Sequence, residues 1–188
     1  MTSLRRLALL GVLAVTACGT ETTYDVAIMP RTSAGTPVMS DQGAIGLASY
    51  ALGNRTSIEN HPAEAARAMA SIDYLAGALY ENPHWDNLSA LDKLNMLAGR
   101  REIRQVLGVA PGTPSQVVVD SLIAAAQAFD AGDVAAQRAA LPANVFTLGP
   151  DQTIALLTNL PELPAANVAA QRTNVDINSN CFYSTNCS

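Results

Sequence analysis

Residues 115–132, "SQVVVDSLIAAAQAFDAG", constrain the fold of this chain more than any other stretch. Wound as an α-helix they are apolar on nearly every side, with Gln116, Asp120 and Gln127 confined to one narrow stripe. A helix of that kind needs neighbours on most sides, which predicts a place in the middle of a helical bundle. The three valines would also suit a buried strand, but the run is too long and too rich in alanine for one. Just ahead of it, Thr113, Pro114 and Gln116 match an N-cap, a first-turn proline and a capping-box partner, which predicts where the helix starts.

The surrounding sequence supplies the partners. Ala65, Met69, Ile72, Ala76 and Leu79 recur at spacings of four and three, one stripe of a helix that Pro62 opens and Pro83 stops near Asn82. A second helix is expected over 88–107, with Gly108 ending it. Gly132 and Asp133 close the third helix and cap a shorter one to Leu141; another restarts after Pro150, and a last one follows Pro164 to about Arg172. Residues 44–52, "AIGLASYAL", are too few for periodicity to choose between helix and strand. No hairpin pattern and no fixed-period repeat occurs. The expected fold is therefore all-α, a single irregular bundle of about five to six helices over 44–172. Residues 18–43, rich in Thr, Ser, Gly and Pro, read as a flexible tether, about 85 Å long if fully extended. Residues 173–188 read as a polar tail.

The N-terminus carries an address. "MTSLRRLALLGVLAVTA" has a basic start with Arg5 and Arg6, a short apolar run and a small-residue end, the three parts of a secretory signal at residues 1–17. The run is too short to span a bilayer, which takes roughly 20 apolar residues. It stops at Val15, Thr16, Ala17 and Cys18, which resembles the lipobox of bacterial lipoproteins, although the commonest pattern has Leu where Val15 stands. The resemblance implies cleavage before Cys18, a diacylglycerol on its sulfur, and usually a further acyl chain such as palmitate on its amino group. Several chains hold a protein durably because burial contributes about 0.8 kcal/mol per CH₂. It also implies attachment to the bacterial cell envelope. Gly19 in place of Asp favours the outer membrane if the source has two membranes.

Without residues 1–17 the chain keeps 9 of its 11 basic residues against 16 acidic ones, a formal charge of −7. That balance disfavours nucleic acid as a partner. Charged residues make up only 14% of the chain, well under the average of about 25%, so polar work falls to Asn, Gln, Ser and Thr. With Cys18 acylated, the remaining cysteines, Cys181 and Cys187, form an even pair expected to close a local disulfide in an oxidising compartment. No C-x-x-C and no helically spaced histidine pair accompanies them, so neither a metal nor another cofactor is expected.

No linear nucleophile motif occurs. The densest chemistry lies at residues 81–86, "ENPHWD", where His84, Trp85 and Asp86 form a candidate recognition loop, with Trp85 stacking on a sugar or partner. The structural alternative has Trp85 pinning the turn to the core and Asp86 or Asn87 capping the next helix. Lys93, Arg100, Arg101 and Arg104 fall on one broad helical face. That face is a candidate contact for anionic groups or, alternatively, a solvated surface. The expected role is non-catalytic: binding, scaffolding or an accessory task, with the membrane as one partner and an envelope protein or polymer as the other. The alternatives are an enzyme, which would gather acids and His84 in a pocket, and a carrier, which would hold an apolar cavity.

Overall fold

The computed structural model describes residues 24–183, with side chains through 179. Seven helices are present among the described residues: α1 (Asp41–Gly53), α2 (Pro62–Glu81), α3 (Ala90–Val106), α4 (Ser115–Asp130), α5 (Val134–Ala140), α6 (Pro150–Thr158) and α7 (Pro164–Tyr183). No strand occurs among them beyond two isolated bridges. No helix among the described residues is long and apolar enough to cross a membrane.

The helical starts follow local chemistry. Prolines open α2, α6 and α7, where a missing N–H costs nothing. Ser40, Ser89 and Asp133 cap α1, α3 and α5 through their side chains. The expected stop of α2 holds, with Asn82 extended ahead of Pro83.

The central helix is α2 rather than α4. Residues 68–79 of α2 are buried without interruption, and α2 packs against α1, α3, α4 and α6. In α4, Leu122 is fully buried but Val117 is 39% exposed and Phe129 only partly covered. The reason is length and composition: eight of the twenty α2 residues are alanine or glycine, so neighbours approach from several sides at once. The bulkier α4 presents one face.

Two segments expected to be loose are ordered. The end of the tether, from Tyr24, lies on the body as an extended strap in which exposure alternates. Ala27 and Met29 are 2% and 3% exposed, while Val26 and Ile28 point outward at 40% and 69%. That is the period of extended chain on a half-covered surface. Residues 173–183 of the expected polar tail are instead the second half of α7. Ala166, Ala169, Ala170 and Thr173 are buried and Ile177 partly so, a stripe laid on α3. Gly99 of α3 makes the approach close: a Cβ there would lie 3.0 Å from the Ala166 Cα. Asp176 accepts from the Ser89 backbone N–H, and Arg172 pairs with buried Asp92 at 2.7 Å.

Candidate functional site

A helix covered on as many sides as α2 forces any charged side chain in its middle to find a counterion inside the protein. Asp73 is that residue, with no exposed surface. Arg100 and Arg104, one turn apart on α3, answer it. Arg104 donates through Nε to Asp73 Oδ2 at 2.6 Å and through Nη2 to Oδ1 at 2.8 Å, a bidentate fork. It also donates to the Ser115 Oγ and the Thr113 carbonyl. Arg100 donates to the Asp73 and Asp25 carbonyls, each at 2.9 Å, and its Nε lies 3.8 Å from Asp73 Oδ1 without a hydrogen-bond partner.

The strap completes this cluster. The Asp25 carboxylate accepts from the Ser115 N–H at 2.8 Å and lies 3.4 Å from Arg104 Nη2. Asp25, 90 residues away, thus caps α4, and the expected capping box at Thr113 does not form. Gln116, its expected third member, instead grips the strap by accepting from the Ile28 N–H and donating to the Ile28 carbonyl. Gly77 is required here, since a Cβ would stand 2.5 Å from the Asp25 carbonyl oxygen. Burial lowers the Arg100 pKa, opposed by the Asp73 charge. Burial also works against the Arg104 charge, but the Asp73 bond and the Asp73 and Asp25 charges outweigh it and raise its pKa.

The basic face expected on α3 is therefore overturned. Arg100 is 8% exposed, Arg104 is tied to Asp73, and the Lys93 Nζ sits 5.8 Å from the Tyr80 ring centroid. Of the four, Arg101 is exposed and Lys93 half-exposed over the Tyr80 ring. Neither an anion-contact strip nor a uniformly solvated face exists, because α2 placed a carboxylate where α3 could reach it.

The candidate recognition loop is organised around Asp41, which carried no signal of its own in the sequence. Asp41 opens α1, where the helix terminus favours a carboxylate. It accepts from the Tyr74 hydroxyl, from Trp85 Nε1 at 2.8 Å and from Asn82 Nδ2 at 3.2 Å. Burial, reinforced by Asp41, raises the Tyr74 pKa. Trp85 is 6% exposed, so its ring is closed to a sugar or partner, and of the two readings open to it the structure has the core pin. His84 is exposed and meets the Trp85 ring edge-on at 4.5 Å. Asp86 is exposed, and Ser89 caps α3 in place of Asp86 or Asn87.

The accessible concave surface lies elsewhere. A cleft of about 380 Å³ runs between α1 and α7, lined among others by Ser49, Tyr50, Asn54, Gln171 and Asn174. A second, of about 490 Å³, continues from it past Gly53 toward Arg55, Glu162 and Asn167. Gln171 and Asn167 donate to the Ser49 and Leu52 carbonyls, so side chains of α7 finish the α1 backbone. Tyr50, 64% exposed, stands on the rim. The cleft offers neutral hydrogen-bonding groups and an aromatic face.

No group of three or more His, Cys, Asp or Glu placed to hold a metal occurs among the described residues. Cys18 and Cys187 lie outside the described residues, as does the side chain of Cys181, so lipid attachment and the disulfide remain expectations from the sequence. No known protein family, curated protein or solved structure matches this chain.

Proposed function

We propose that this chain is a bacterial envelope lipoprotein, acylated at Cys18, whose helical body binds or scaffolds another envelope component without catalysis. The observation that carries the reading is the N-terminal "LAVTAC", where a secretory signal ends on a cysteine in lipobox position. The body supports a binding role through the chemistry of its cleft. The carboxylates at the centre of the two side-chain clusters, Asp73, Asp25 and Asp41, are tied to structural joints. Ser49 and Gln171 bond each other across the α1–α7 cleft, which leaves the amides of Asn54 and Asn174 and the exposed Tyr50 ring to meet a neutral polar chain by hydrogen bonds and stacking. An envelope protein or polymer is the matching partner.

The test is chemical. Cells fed an alkyne fatty acid should label the wild-type protein and not Cys18→Ser, and only the wild type should enter the detergent phase on partitioning. Equal labelling and partitioning of the two would overturn the anchor.

A further inference from the structure

The ordered strap changes how far the body can stand from the membrane. Resting on the lipoprotein reading above, we infer that the strap side of the domain docks on the phospholipid surface that holds the Cys18 lipid. The body is attached to the chain from Tyr24 onward. The Tyr24 ring stacks on Tyr80 with centroids 3.8 Å apart, and Asp25 is bound by Arg100, Arg104 and Ser115. Only five residues, 19–23, then separate Cys18 from the first anchored side chain, six steps of the chain and a reach of at most about 22 Å. A compact domain of this size is roughly 40 Å across. A leash shorter than the domain cannot let it turn its far side to the bilayer.

The side held down is built for an interface. Val26 and Ile28 project from the strap at 40% and 69% exposure, and Val117 adds 39% beside Gln116, which clamps the Ile28 backbone. The Tyr24–Tyr80 pair with Lys93 above it supplies aromatic rings and a cation, the groups that settle at headgroup depth. On the same side Asp25 is paired with Arg104, and Asp120 accepts from Gln116. No residue of the strap, α2 or α4 lines the α1–α7 cleft. Docking on the strap side leaves the cleft open.

Full-length acylated protein in vesicles of brominated phosphatidylcholine tests this by tryptophan quenching, with Trp85 as a constant buried background. The extra emission from Ile28→Trp should be blue-shifted and largely lost, and that from Tyr50→Trp at the cleft rim should persist. Inserting about 20 Gly/Ser residues after Thr22 gives a root-mean-square leash of roughly 25–30 Å and a far longer maximum, and should restore the Ile28→Trp emission. Unquenched Ile28→Trp in protein that floats with vesicles and carries lipid by mass would overturn the docking while leaving the anchor intact. Quenching that survives the insertion would overturn the leash as its cause. Protein without lipid on Cys18 would overturn both readings.

Discussion

Asp73 and Asp41 are both aspartates joining segments distant in sequence, yet they do so by different physics. Asp73 lies in the middle of α2, wholly buried, and is answered by two guanidinium groups and a strap that closes over them. Asp41 lies at a helix N-terminus, partly exposed, and is answered by three neutral donors from Tyr74, Asn82 and Trp85. In the first joint the charge is obligatory, because removing it leaves cations inside the protein. In the second the acceptor matters more than the charge, because no counterion is stranded when it goes.

The largest expected effect follows directly. Asp73→Ala should destabilise the domain by about 3–5 kcal/mol, since Arg100 and Arg104 would remain buried without their partner. Against a typical domain stability of about 5–15 kcal/mol that is a large fraction. Urea unfolding of the soluble form lacking residues 1–18, followed by circular dichroism, measures it. A loss below about 1 kcal/mol would erase the distinction between the two joints.

Asp41→Ala should cost less, about 1–3 kcal/mol, by leaving the Trp85 N–H and the Tyr74 hydroxyl without their acceptor. Asp41→Asn, which keeps an acceptor oxygen, should recover much of that loss, whereas Asp73→Asn should not recover the first. The same unfolding curves decide it. Equal rescue at both positions would mean that charge plays the same part in each.

These joints also mark what could be read from the sequence. The helices were legible because proline and glycine punctuate them: Pro62, Pro83, Pro150 and Pro164 sit at the boundaries the structure has. Leu122 and the α2 stripe from Ala65 to Leu79 were legible as core from their spacing. The strap was not, because its buried side is only Ala27 and Met29, two small contributions within a polar, Pro-rich stretch. The long α7 was missed because its packing stripe is alanine and threonine, which carry little hydrophobic contrast against Asn and Ser. Taken alone, α3 presents Arg100 and Arg104 as a surface strip, although both turn toward Asp73 of α2. The missing signal was in α2, where Asp73 is the one charged residue between Arg67 and Glu81 in an otherwise apolar run, and a buried carboxylate there demands a cation. Trp85 as a pin was legible; Asp41, its acceptor 44 residues upstream, had no local pattern to reveal it.

The smallest effect at neutral pH, and the sharpest test of the Asp41 joint, is Tyr74→Phe. It removes one hydrogen bond to a charged acceptor while keeping the ring, a cost of about 1–2 kcal/mol near pH 7. Its signature is at alkaline pH. Burial and Asp41 raise the folded-state Tyr74 pKa above the usual value of about 10, so the folded state holds the proton where the unfolded chain releases it. The stabilisation is fully present below that usual value and is lost as pH climbs from it toward the raised one. Wild-type stability should therefore fall above about pH 10, with this residue contributing close to 1.4 kcal/mol per pH unit. Tyr80, also raised by its burial and then by Tyr24, adds a weaker slope of the same sign that Tyr74→Phe leaves untouched. Urea unfolding at intervals from pH 8 to pH 11 should show the steeper fall in the wild type and a shallower one in Tyr74→Phe. Parallel curves would mean that the Tyr74 hydroxyl is not held protonated by its bond to Asp41 in this joint.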